Sequence, residues 1–210
     1  MAKPEIVDGS RVRVMFDGRK CIHSRHCVLG RPDVFVPNAE GEWIHPDKAR
    51  PEEVAEIAHL CPSGAIRYER LDGGPQEAPP KVNIIRLREN GPLAVHADAE
   101  MAGERFLRAT LCRCGKSNHK PLCDLMHTKA GFAATGEPPN AETPKLEKRD
   151  GTLKIEAEKD GPYHVTGNFE IVTGTGRTLF RGTEAWLCRC GHSKNKPFCD
   201  STHKLVGFRG

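Results

Sequence analysis

A stretch of 22 residues, Leu111 to Phe132, occurs again 76 positions later as Leu187 to Phe208, and 13 of the 22 aligned positions are identical. The identities centre on potential metal ligands. Cys112, Cys114, Cys123 and His127 fall on Cys188, Cys190, Cys199 and His203, so the spacing C-x-C-x8-C-x3-H appears twice in one chain. A lone Cys or His is most often simply buried. Duplication of a whole quartet instead marks these eight side chains as two four-ligand metal sites, each within a unit too short to bury a large core of its own.

Three thiols and one imidazole suit either zinc or an iron-sulfur cluster, since both take tetrahedral coordination at each metal. Structural zinc is usually gripped by C-x2-C knuckles. Here a single residue separates Cys112 from Cys114 and Cys188 from Cys190, which favours iron-sulfur and leaves a zinc-bound interaction module as the lesser alternative. The full strings, LCRCGKSNHKPLCDLMH and LCRCGHSKNKPFCDSTH, resemble the CDGSH iron-sulfur (mitoNEET-like) family. The resemblance covers both quartets, Ser117 and Ser193, the Lys-Pro pairs at 120 to 121 and 196 to 197, and Asp124 and Asp200. It departs just before each His: the family signature reads Cys-Asp-Gly-Ser-His, whereas this chain has Leu125-Met126 and Ser201-Thr202. The resemblance implies a [2Fe-2S] cluster on Cys112, Cys114, Cys123 and His127 and a second on Cys188, Cys190, Cys199 and His203. Members of the family are homodimers of two such units, so it also implies that the repeats pair within one monomeric chain as a pseudo-dimer.

The residues around the ligands fit that picture. Asp124 and Asp200 are good N-cap types and predict a short helix beginning there, with Cys at its entry, His in its first turn and helix N-H groups directed at sulfur. Gly131 and Gly207 are the expected stops. His119 and His192 have no counterpart in the other repeat and are read as solvated or adjacent to the site. Lys120, Lys196, Arg113 and Arg189 either offset cluster charge or are ordinary exposed cations. Replacing one thiolate by neutral imidazole raises the potential of a cluster. The same imidazole can be protonated, so acid is expected to strip it.

Pro and Gly cluster at DGGPQEAPP and GEPPNAETP, which read as linkers at 73–80 and 136–144. They divide the chain into an N-terminal domain, 1–72, and repeat units at 81–135 and 145–210. Strand-like patterns run over 82–87, 93–95 and 106–111, then 153–157, 163–171 and 178–187, with turn signals at Asn90-Gly91-Pro92 and Asp160-Gly161-Pro162. The expected fold class is α+β, a small ferredoxin-like module followed by two β-rich CDGSH units. Units of about 60 residues bury only about 60% of their unfolded surface, so metal should act as a staple and the iron-free repeats should be largely unfolded.

The N-terminal part carries Cys21 and Cys27 in CIHSRHC and a distant Cys61-Pro62. This resembles the divergent single-cluster ferredoxins (4Fe-4S mono-cluster), with Ser24 where a fourth Cys would stand. Three thiolates leave a [3Fe-4S] cluster, a [4Fe-4S] cluster completed by His23, His26, Ser24 or solvent, or an empty site. Pro51-Glu52-Glu53 reads as a helix start that places Val54, Ile57, Ala58 and Cys61 on one face. Residues 12–16 and 65–68 are expected strands.

Thirty-two basic and 28 acidic residues give a net charge of +4, too mild to imply nucleic acid. No apolar run approaches a membrane span, and the first residues lack a secretory pattern, so a cytoplasmic location is expected. Nine cysteines in three groups of three do not suggest a disulfide framework. With no nucleophile triad, phosphate loop or paired carboxylates standing out, the chain is read as a non-enzymatic one-electron carrier working with a redox partner protein. The alternative is a labile cluster donor to an apo acceptor, or a redox or iron sensor.

Overall fold

The computed structural model describes residues 3–139 and 143–210. The chain divides into two compact units, 1–78 and 79–210. It is mostly β, with a few short helices.

The first unit is a three-stranded antiparallel sheet in the order β1 (Glu5–Asp8), β2 (Val12–Phe16), β3 (Ile66–Arg70). Val12 and Val14 alternate inward and pack with Val34, Phe35, Ile44, Val54, Ala58 and Ile66. α1 (His26–Gly30) is a single turn, and α2 (Pro51–His59) starts at the expected proline. The Glu53 carboxylate accepts the Arg50 backbone N-H at 2.9 Å, which satisfies one donor at the helix start. Val54, Ile57, Ala58 and Cys61 share the buried face.

In the second unit the two repeats do not form separate sheets. Each contributes three strands, β4 (Ile84–Leu87), β5 (Leu93–Met101) and β6 (Glu104–Leu111) from the first, β7 (Leu153–Ala157), β8 (Tyr163–Val172) and β9 (Thr178–Leu187) from the second, to a single six-stranded sheet. β4 lies antiparallel to the start of its own β5, Leu87 against Leu93, and parallel to the end of β8, Ile85 against Ile171. β7 does the reciprocal, pairing antiparallel with the start of β8, Ala157 against Tyr163, and parallel to the end of β5, Ala99 against Leu153. The register shift between His96 and Ala99 in β5 recurs between Thr166 and Phe169 in β8, the same place 70 residues on. A β-bulge bends its strand.

One apolar core therefore runs through both repeats, from Ile85, Leu87, Leu93 and Val95 to Leu153, Ile155, Val165 and Ile171. Where two small units were expected, each with little core of its own, the repeats share one core. β5 also runs six residues beyond Val95, because Ala97 and Ala99 are buried despite being small.

The second expected linker, 136–144, lies partly outside the described residues, at 140–142. Its described start is docked on the β8–β9 hairpin: Glu137 accepts the Thr175 N-H at 2.7 Å, and Arg177 donates to the Pro138 carbonyl at 2.8 Å. Among the described residues no helix is long and apolar enough to cross a membrane.

Candidate metal centres

Each repeat hangs its ligands on one loop between the end of a hairpin strand and a single helical turn. In the first, Leu111 bridges to Leu122, Cys112 N-H donates to the Pro121 carbonyl at 2.9 Å, and Cys123 N-H donates to the Thr110 carbonyl at 2.9 Å. The second repeats this neck with Leu187 and Phe198, Cys188 to Pro197 and Cys199 to Trp186. Inside each loop a buried serine hydroxyl donates back across it, Ser117 to the Leu122 carbonyl at 2.6 Å and Ser193 to the Phe198 carbonyl at 2.7 Å.

The helical turns are α3 (Met126–Lys129) and α4 (Thr202–Leu205), and they begin one residue later than the aspartates predict. The N-cap residues are Leu125 and Ser201, both left-handed with φ of 68° and 67°. The aspartates act from one position further out. Asp124 accepts Met126 N-H at 3.1 Å and Asn118 N-H at 2.8 Å, and Asp200 accepts Thr202 at 3.0 Å and Lys194 at 2.8 Å, which ties turn to loop. Gly131 and Gly207 follow the turns with φ near 60°, as expected of stops. Two of the N-H groups that reach sulfur come from these N-cap residues and two from the residues after Gly115 and Gly191. Leu125 donates to Cys123, Lys116 to Cys114, Ser201 to Cys199 and His192 to Cys190, each at 3.4 Å.

The structure brings each predicted quartet together as two pairs. Cys112 and Cys114 sulfurs are 3.7 Å apart, and Cys123 Sγ lies 3.4 Å from His127 Nδ1. The second site has 3.8 Å between Cys188 and Cys190 and 3.4 Å between Cys199 and His203. Two sulfurs held tetrahedrally by one metal stand about 3.8 Å apart, and a sulfur and an imidazole nitrogen about 3.5 Å. Each pair therefore fits one metal. Among the described residues no three His, Cys, Asp or Glu side chains gather about a single ion position. Each donor set is thus arranged as two pairs of donors.

Electrostatics set the order in which protons leave. Burial pushes the Cys123 thiol up to about 11 and also raises Cys199. The Cys114 thiol hydrogen-bonds to Cys112 and, with nearby backbone N-H groups, lowers the Cys112 thiol. Burial lowers the His127 imidazole. Metal binding therefore has to displace protons that burial holds on the Cys123 and Cys199 thiols.

Arg113 and Arg189 are not exposed cations. They are 1% and 2% exposed and clamp backbone carbonyls: Arg113 holds Arg88, Gly91, Ala134 and Thr135, and Arg189 holds Glu158, Gly161 and Gly210. Each fixes the turn before its ligand strand to the tail after its helical turn. Lys120 and Lys196 donate to the Ser117 and Ser193 carbonyls of their own loops. His119 and His192 are exposed.

Two features escaped the sequence reading. Gly115 and Gly191, the residues after each C-x-C, face one another's sites: a Cβ on Gly115 would lie 2.5 Å from the Cys190 carbonyl oxygen, and one on Gly191 2.5 Å from that of Cys114. Their identity in both copies was the available signal. Tyr163, fully buried, places its hydroxyl 2.9 and 2.8 Å from the Cys112 and Pro121 carbonyls of the other repeat's loop. Leu93 holds the equivalent place in the first repeat, so the repeat itself conceals it.

In the N-terminal unit Cys21, Cys27 and Cys61 arrive from the loop after β2, from α1 and from just beyond α2, and all three line one cavity of about 500 Å³. Burial raises the Cys21 and Cys27 thiols. None of the nine cysteines is in a disulfide.

Comparison with known proteins agrees with this division. The family described as iron-binding zinc finger, CDGSH type, matches residues 90–128 and 160–204. The family described as divergent 4Fe-4S mono-cluster matches residues 7–71. The chain is 35% identical over 60 residues to the uncharacterized protein YjdI of Escherichia coli strain K12, covering 29% of this chain and 78% of YjdI, and equally similar to YjdI of strain O157:H7.

Proposed function

Since the chain belongs to the CDGSH-type iron-binding family through its two repeats and to the divergent 4Fe-4S mono-cluster family through its N-terminal part, we propose that this iron-sulfur protein is a one-electron carrier holding two [2Fe-2S] clusters in the repeats and a third cluster in the N-terminal cavity. The observation that carries the reading is the division of each quartet into a Cys-Cys and a Cys-His pair at single-metal spacing. A single structural zinc ion requires four donors around one point, and among the described residues no three His, Cys, Asp or Glu side chains gather about one ion position.

A bound [2Fe-2S] cluster supplies reversible one-electron chemistry. The chain's residues do the rest. Buried cysteines anchor the inner pair, backbone N-H groups at 3.4 Å stabilise thiolate charge, and the partly exposed histidines face outward, where a redox partner protein can approach. The reciprocal strand pairing of β4 and β7 supports the reading of the repeats as an intrachain pseudo-dimer. The N-terminal unit is proposed as the ferredoxin-like module, and the cell compartment as the cytoplasm.

The test is metal and sulfide analysis of anaerobically purified protein with visible and paramagnetic resonance spectra. About four irons and four sulfides in the repeats, with negligible zinc, are expected. A colourless zinc protein would refute the assignment. Partial exposure of Cys199 and His203 favours a second reading, cluster donation to an apo acceptor. Transfer of iron and sulfide to an acceptor faster than electron exchange would select it.

A further inference from the structure

Three thiols can hold three corners of a cubane cluster, and the N-terminal cavity has to provide whatever meets the fourth. Among the candidates offered by the sequence, His26 is not one of the residues that line the cavity, whereas His23 and Ser24 are. The His23 imidazole is turned toward the thiols, with Nδ1 4.0 Å from Cys21 Sγ, and its own backbone N-H donates to the same sulfur at 3.4 Å. The ring therefore lies beside the Cys21 sulfur, one of the three thiols of the cavity.

The backbone around it is arranged at a cost. His23 and Arg25 both sit in left-handed conformation, φ 48° and 65°, although neither is glycine. That conformation crowds the Cβ of an L-residue against the following carbonyl oxygen. Such strain collects where a loop is shaped for a task. Ser24 could ligate only after its hydroxyl gave up a proton, while a neutral imidazole nitrogen presents its lone pair directly and is a familiar iron ligand. His23 is also exposed, so its ring can swing onto an iron at the cavity mouth without disturbing the core.

We infer that His23 is the fourth ligand of a [4Fe-4S] cluster whose other three irons are held by Cys21, Cys27 and Cys61. The inference rests on the proposed occupancy of the N-terminal cavity. Its consequence is a cluster with one imidazole at its most accessible corner, higher in potential than a four-thiolate cluster and open to ligand exchange there.

The experiment uses the full chain, purified anaerobically as wild type and as His23→Ala, His23→Cys and Ser24→Ala. Iron per chain and paramagnetic resonance of the oxidised protein are measured, with the midpoint potential of the N-terminal cluster. Wild type and Ser24→Ala should carry about eight irons and be silent when oxidised. His23→Ala should fall to about seven irons and gain the signal of an oxidised [3Fe-4S] cluster. His23→Cys should restore eight irons and silence, with a lower midpoint. Unchanged iron and spectra in His23→Ala would overturn the ligand assignment while leaving the cluster in place. Seven irons and a three-iron signal already in wild type would do the same. Only about four irons in every variant, those of the repeats, would instead remove the N-terminal cluster itself, and the inference with it.

Discussion

Leu125 and Ser201 occupy the position where the family signature has glycine, and both are left-handed. Glycine adopts that conformation without the crowding an L side chain suffers, a difference of about 1 kcal/mol. Ser201 is exposed and its side chain is not part of the core, so Ser201→Gly should stabilise the holo-protein by roughly 0.5–1 kcal/mol, read as a higher midpoint in thermal unfolding. No gain would mean that the turn is held by Asp200 strongly enough to absorb the strain. Tyr163 makes the two sites unequal: Tyr163→Phe leaves the Cys112 and Pro121 carbonyls short of a buried donor, at a cost of about 1–3 kcal/mol. Cluster loss to an iron chelator should accelerate at the first site only, and equal acceleration at both would contradict the assignment. Burial lowers His127, so its neutral, ligating form persists further into acid than that of an ordinary histidine near ~6.5. As pH falls, the first-site absorption should survive through that value and bleach below it. Bleaching that begins well above ~6.5 would argue against the depressed imidazole as ligand.

At the scale of elements, the loops depend on close approach. Gly115→Ala puts a methyl against the Cys190 carbonyl and forces a left-handed alanine, so it should empty both repeat sites, whereas Cys123→Ala should empty one. Iron content separates the outcomes: loss of only one cluster from Gly115→Ala would show the two loops to be independent. The strands were largely legible, because alternation in 153–157 and 178–187 and the turns Asn90-Gly91 and Asp160-Gly161 are local signals that the backbone obeys. The far half of β5 was not, since Ala97-Asp98-Ala99 has too little apolar contrast to announce a strand. The helical turns were misplaced by one residue because the aspartates bond as caps from outside the left-handed residue that opens each turn. The eight candidate ligands of the repeats were readable through duplication, and the structure brings them together in pairs. Tyr163 and the loop-to-loop contact were not, because each joins residues far apart in the chain.

For the molecule as a whole, the parallel pairing of β4 with β8 and of β5 with β7 changes what metal is needed for. Two stacks of strands with separate cores would collapse without their clusters, but one sheet over a continuous core resembles a domain of more than 100 residues, which buries a larger share of its surface. Complete removal of iron should therefore leave most strand signal in circular dichroism while the loops lose protection from hydrogen exchange. Collapse of the strand signal would restore metal as the main support of the fold. The mutual seating of Gly115 and Gly191 has a further result. Each loop braces the other, so filling one cage prepares its neighbour, and in the wild-type chain the second cluster should be taken up more readily than the first.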